Sequence, residues 1–207
     1  MVAALAVAAV CFHASGHAQQ LVTVDAPSAR STTAVVRVWR RDGACWREEA
    51  GPWPARVGRN GLSAHHREGD GTTPIGTFAI GPVAYGVAPD PGTAFTYHRL
   101  VCGDWWDEDP SSAEYNEFQH VACGTRPSFG GGSEALWLDT QAYAHFLVVD
   151  YNTSPVVPGR GSAIFIHDDV GQPTNGCVSV PPADLVRLLH LLSPAKAPEI
   201  AIRLRAA

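Results

Sequence analysis

Charge is scarce in this 207-residue chain: Asp, Glu, Lys and Arg together make only 17% of it, and no Lys/Arg run appears anywhere. Fifteen basic against twenty acidic side chains leave a formal net charge of −5, so the positive field that nucleic acids or anionic membrane surfaces attract is missing. Long helical patterns are also rare, which excludes a helical bundle. No apolar run reaches the roughly 20 residues of a transmembrane helix. No two cysteines stand in the C-x-x-C spacing of a zinc ribbon. Gly130-Gly131-Gly132 has no following Lys-Ser/Thr and is not a phosphate cradle. Trp105-Trp106 runs into Asp107-Glu108-Asp109 without the alternating ligands and closing Glu of an EF-hand. Adjacent His65 and His66 point to opposite faces of an extended chain, so one exposed and one packed imidazole is expected rather than a metal pair. No metal and no cofactor is expected.

Glycine and proline, by contrast, are abundant. Twenty Gly and sixteen Pro make about 17% of the chain, against a usual sum of ~12%. Short β-branched runs alternate with these turn residues: Val35 to Trp39, Cys45 to Glu49, Thr77 to Ile80, Phe95 to Cys102, Ala135 to Leu138, His145 to Tyr151, Ser162 to His167 and Glu199 to Leu204. Arg41-Asp42-Gly43 separates the first two as a hairpin, and Gly58-Arg59-Asn60-Gly61 is the next sharp turn, read as a two-residue hairpin turn. The pattern predicts a mainly β domain, a sandwich or partly closed barrel of mostly antiparallel strands. One helix near the C-terminus opens at Pro181-Pro182, repeats Leu185, Leu188, Leu189 and Leu192 at helical spacing, and stops at Pro194. Its apolar face is expected to cap the sheet.

At the amino terminus, Val2 to Phe12 is a continuous apolar stretch, and Ser15-Gly16-His17-Ala18 follows it like a cleavage site. The expected organisation is a signal peptide over residues 1–18, a short extension over 19–31 and one domain over 32–205, in a secreted protein of the cell envelope. The other reading is a buried N-terminal helix. Ala9-Val10-Cys11 is a poor lipoprotein box because Val10 is bulky. In an oxidising compartment Cys102 and Cys123 are expected to pair, closing a loop that holds Trp105, Trp106 and Tyr115, and Cys45 is then left unpaired. A monomer is expected.

The chemistry-bearing residues lie between Ser162 and Val180. His167 ends an apolar strand, and Cys177 follows ten positions later across a polar turn. A strand, a compact loop and a return toward the sheet can bring a histidine alongside a thiol and favour the attacking thiolate. Gly176 lets a substrate come close, and the N–H groups of Gly176 and Cys177 are candidates for an oxyanion hole.

His167 with Thr174-Asn175-Gly176-Cys177-Val178 resembles the signature of the L,D-transpeptidase catalytic domain, the YkuD-like family. Thr72-Thr73-Pro74-Ile75-Gly76-Thr77-Phe78, preceded by Val57 to Leu62, resembles that family's Thr-Pro-x-Gly-x-Phe segment. The resemblance implies a peptidoglycan enzyme that breaks the bond between an L-centre and a D-residue in a stem peptide and passes the acyl group to an amine. It makes Cys177 the nucleophile, His167 the base and Asp168 the oxygen acceptor that holds the imidazole, through its carbonyl or its carboxylate. Thr174 supports the turn or the nucleophile, and Thr174, Asn175, Trp105, Trp106 and Tyr115 are candidates to meet substrate. Three departures stand out. The spacing of ten is short for the family, Asn175 stands where a second histidine is common, and Ser179 replaces a common arginine. Arg99, Arg126 or Arg160 are candidates to supply that cation instead. The acidic, aromatic insert from Gly103 to Ala122 is expected to cover the site as a flap and to suit an amine acceptor. A catalytically weak wall-binding module is the competing expectation, and an L,D-carboxypeptidase using water is the variant within the enzyme class.

Overall fold

The computed structural model describes residues 9–12 and 14–205. In chain order its strands are β1 (Gln20–Ala26), β2 (Thr33–Asp42), β3 (Cys45–Arg56), β4 (Leu62–Ser63), β5 (Thr73–Pro74), β6 (Gly76–Gly86), β7 (Thr96–Arg99), β8 (Asp104–Asp107) and β9 (Glu117–His120). After them come β10 (Glu134–Ala135), β11 (Phe146–Val149), β12 (Phe165–Asp168), β13 (Val178–Val180), helix α1 (Pro182–Leu191) and β14 (Glu199–Leu204). Alternation explains the long strands: in β2, Ala34, Val36 and Val38 turn into the core while Thr33 and Arg40 meet solvent.

Eight strands join edge to edge in the order β11-β12-β13-β3-β2-β1-β14-β6, and β6 pairs back onto β11. That last pairing closes the barrel which the strand pattern left as a sandwich or a partly closed one. Within the ring only β12–β13 and β1–β14 are parallel; the other neighbours are antiparallel. β7 adds outside the ring, parallel to β6. The Gly58–Gly61 turn is present, with Gly61 N–H donating to Gly58 C=O, but it is not a hairpin turn: the β4 that follows pairs in parallel with β5.

α1 covers one opening of the ring. Leu185, Leu188 and Leu189 are fully buried in the same cluster as the inward Val22, Val36, Ile166 and Ile200, and each contributes about 1.5–3 kcal/mol relative to exposure. The helix ends in the protein rather than in water. Buried Gln20 donates to the Leu191 carbonyl (2.7 Å) and accepts from Ser193 N–H (2.9 Å), so it satisfies a terminal carbonyl that the helix leaves unpaired.

β1 falls inside the stretch expected as an extension. It sits between β2 and β14, with Val22 and Val24 inward, and it is a staple of the barrel. Its outer face is covered too: Ala18, Leu21, Trp39, Trp46 and Ala201 form a second buried layer, with Phe12 and Ala14 packed on it. Among the described residues before Ala18 there is no helix. Instead Val10 exchanges both backbone hydrogen bonds with Trp46 (2.8 Å each), laying residues 10–12 against the start of β3. Cys11 thereby meets Cys45, and the two form a disulfide, which corrects the expectation that Cys45 is unpaired. The expected cleavage after Ala18 lies within this packed segment.

The excursion after β7 forms a small sheet, β10-β8-β9, whose base is closed by the expected Cys102–Cys123 disulfide. Among the described residues no helix is long and apolar enough to cross a membrane.

Removing residues 1–18 uncovers Trp39 and Trp46 and takes away the partner of Cys45. The loss of the crosslink alone is expected to cost about 2 kcal/mol or more, which lowers the melting temperature by roughly 4–8 °C. A thermal melt and a titration of native thiols check this; the shortened protein should gain one reactive thiol.

Candidate active site

The two motif segments meet at one turn. Thr73 Oγ1 accepts from Gly58 N–H (2.8 Å) and donates to the Cys177 carbonyl (3.3 Å). Thr174 Oγ1 donates to the same carbonyl (2.6 Å) and accepts from Gly176 N–H (3.2 Å), while its own backbone bridges Gly58. Two buried hydroxyls therefore shape the turn from opposite sides. Gly176 has φ +154°, and a Cβ there would come 3.1 Å from the Thr72 carbonyl and 3.2 Å from Ile164; only glycine passes here without strain.

Cys177 enters β13 beside β12 and is 9% exposed. Its Sγ donates to the Ala163 carbonyl (3.1 Å) and accepts from Phe165 N–H (3.3 Å). Ala163 holds its carbonyl there from a left-handed backbone conformation, φ 51°. Burial pushes the Cys177 thiol well above its ordinary range, and the Glu134 and Glu108 carboxyls push it further. Among the described residues Cys177 is the only free cysteine.

His167 stands on the same face as Phe165, two residues further along β12, and the Tyr143 ring meets both at 5.8–5.9 Å between centroids. The imidazole is 7% exposed, and burial holds its pKa below the ordinary value. Its Nδ1 lies 2.9 Å from the Asp168 carbonyl. A carbonyl only accepts, so Nδ1 carries the proton and Nε2 is left as the basic atom. Asp168 thus acts through its carbonyl. Its carboxylate instead accepts from His145 N–H (2.9 Å) with Oδ2, and Oδ1 has no partner. The expected hydrogen bond between His167 and Cys177 is not formed: the sulfur's partners are Ala163 and Phe165.

Cys177 and Gly176 line a cleft of about 210 Å³ together with Asn175, Arg59, His66 and three carboxylates, Glu68, Glu108 and Glu134. Trp105, Trp106 and Tyr115 do not line it. Trp105 packs edge-on against Trp137, Trp106 against Phe165, and Tyr115 donates to Glu68 and accepts from Gly161 N–H (3.1 Å). Nor do Arg99, Arg126 and Arg160; the cation in the cleft is Arg59, which donates to the Asn175 side chain. Ser179 lies beside Asp169, which pairs with Arg56 at 3.1 Å.

The acidic insert expected over the site supplies Glu108, but sequence reasoning missed His66, Glu68 and Glu134. His66 is buried and His65 exposed, as expected, but His66 faces the cleft, its Nδ1 3.0 Å from Asp70 and 3.1 Å from Thr72. Burial lowers its pKa against the opposing pull of Asp70. Glu108 and Glu134 come from the flap sheet. Burial and the neighbouring Glu134 push Glu108 up to about 9, and burial raises Glu134 as well. Nothing in the local pattern of β8 or β10 marks these residues, because only the folding of the insert over the turn brings them to the sulfur.

Residues 19–200 match the sequence model of the L,D-transpeptidase catalytic domain, YkuD. The chain belongs to this family. The match takes in β1 and most of the barrel, and family membership implies a peptidoglycan enzyme that acts on the peptides of that polymer. No curated protein and no solved structure matches the chain. The two disulfides fit the oxidising compartment outside the cytoplasm where that polymer lies.

Two predictions follow from the charges of this L,D-transpeptidase-family cleft. Glu108 has a folded pKa raised from 4.5 to about 9, so its stabilising contribution is complete below the lower value and is lost as pH rises through the upper one. The melting temperature should fall between about pH 5 and about pH 9, and Glu108→Gln should flatten that fall. Alkylation of Cys177 by iodoacetamide, read by peptide mass, should be slower than that of free cysteine at neutral pH, and Glu134→Gln should move its rise to lower pH.

Proposed function

We propose that the protein is an exported L,D-transpeptidase that carries the stem-peptide acyl group on Cys177. The observation that supports this most is the joining of both motif segments at the floor of one cleft, where the single free thiol among the described residues lies. Export after a cut at Ala18, which would take Cys11 from Cys45 and leave Cys102–Cys123 as the disulfide of the mature chain, and action as a monomer belong to this reading.

The reaction begins with release of the thiol. Rotation of the Cys177 side chain away from Ala163 brings Sγ toward Nε2 of His167 on the same sheet face, and the proton passes from sulfur to nitrogen. The Asp168 carbonyl keeps the tautomer correct and stabilises the imidazolium. The thiolate attacks the carbonyl of the L-centre. For the oxyanion to use Gly176 N–H, that group must leave the Thr174 hydroxyl. Collapse expels the D-residue, whose amine takes the proton from His167, and a thioester remains. An amine of a second stem then attacks the thioester, its proton returning through His167, and the thiol is restored. Arg59 offers a guanidinium for the donor's carboxylate and Glu68 a carboxylate for the incoming ammonium, while burial biases Glu108 and Glu134 toward their protonated forms, which offer hydrogen bonds.

One observation favours a second reading, the weakly catalytic wall-binding module: the thiol is neutral, buried and hydrogen-bonded away from His167. Incubation with a carbapenem followed by intact-protein mass separates the two. The enzyme reading expects one adduct on the folded protein, lost in Cys177→Ala, and stem-peptide turnover lowered by about 10²-fold or more in His167→Ala. No adduct on wild type, or turnover surviving in Cys177→Ala, would refute it. Product mass distinguishes transfer to an amine from carboxypeptidase hydrolysis.

A further inference from the structure

We propose that the cavity behind Trp106 is a second binding site, for a primary alkylammonium carried on an aliphatic arm. The site arises from an interruption in the barrel wall. On β11, Leu147 pairs with Ala84 and Val149 with Ile80, so Val148 alone faces the three β6 residues Gly81, Pro82 and Val83. Proline has no N–H to give the ladder, and the extra residues bulge outward. The flap hairpin β8–β9 borders the gap and leaves an open pocket of about 290 Å³, room for about ten water-sized groups.

The lining states what fits. Val83, Val148 and Val156 supply apolar contact for methylenes, and Tyr85, Trp106 and Phe118 supply aromatic faces that attract a cation. Asp150 and Glu117 are the charged groups on the wall, and among the described residues no Lys, Arg or His lines it. Asp150 is half-buried and has no hydrogen-bond or ion-pair partner for its carboxylate among the described residues. Burial pushes its pKa up, so the charged form gains from a cation placed beside it. An anion would meet two carboxylates here, and a purely apolar guest would leave Asp150 desolvated without compensation.

This site is separate from the cleft, since no residue lines both. It nevertheless touches the nucleophile's support. Asn116, on its wall, accepts from Trp106 Nε1 and from Ala163 N–H (3.0 Å each), and the Ala163 carbonyl holds the Cys177 thiol. The proposal does not depend on the catalytic reading.

The test is equilibrium binding, by calorimetry and by NMR shift mapping on the full chain, of Nα-acetyl-lysine amide, 1,5-diaminopentane and the uncharged Nα-acetyl-norleucine amide. Saturable binding of the first or second is expected, the tighter one showing whether the arm comes on a peptide or on a free diamine. Norleucine amide should bind about tenfold more weakly, and Asp150→Asn should weaken the amine by a similar factor. Val156→Trp, which fills the cavity without touching the charge, should abolish binding, and Cys177→Ala should leave it unchanged. Absence of saturation with both amines, equal binding of norleucine amide, or loss of binding in Cys177→Ala would overturn the proposal.

Discussion

The carbonyl of Cys177 receives two hydroxyls, one from Thr73 and one from Thr174, and the rest of the site depends on that shared acceptor. It ties a segment more than a hundred residues upstream to the turn that carries the sulfur. Because Thr73 also accepts from Gly58, losing its hydroxyl leaves a buried N–H unpaired, at a cost of about 1–3 kcal/mol. The barrel supplies the setting for this contact. Its parallel β12–β13 pair sets His167 and Cys177 on one face, and the segment between β3 and β6 brings Thr73 and Arg59 around from the other side.

Burial sets the resting chemistry. The thiol is held up, the imidazole is held down, and both are neutral when the cleft is empty. Carboxyls on the flap reinforce the first effect. Such a site is quiet toward small electrophiles and becomes nucleophilic only when a bound group replaces the contacts to Ala163 and the surrounding dipoles, which is how binding energy can be directed to the reacting centre. Keeping the sulfur reduced beside two disulfides follows from the same enclosure.

Much of this was legible from residue order. β14 and the helix follow from β-branched alternation and from a Leu repeat bounded by prolines, both local signals. The Cys102–Cys123 bridge followed from the compartment. β1 was hidden because its short Gln-Leu-Val-Thr-Val stretch directly follows a leader-like segment, and the Phe12 and Ala18 packing that covers Leu21 comes from that same segment. Glu68, Glu134 and Arg59 were hidden for another reason: each is an ordinary charge in an ordinary turn or strand until the insert, whose own acidity was legible, folds back. Trp106 and Tyr115 were visible as aromatics, but composition does not say which way a ring faces, and these hold the flap to the barrel instead of meeting the cleft.

Closure of the barrel also decides what the molecule presents to its surroundings. Closing the ring pairs most of its main-chain donors and acceptors internally, and what stays open is the edge of β3 beyond its one pair with β13 at Ser179–Arg56, four-residue β7, two-residue β4 and β5, and the margins of the flap sheet. Pro52 and Pro54 blunt the β3 edge, and the others are too short to be good templates for another chain to zip onto. In a polymer matrix crowded with extended peptides, this architecture directs recognition into its cavities and away from indiscriminate strand addition along its sides.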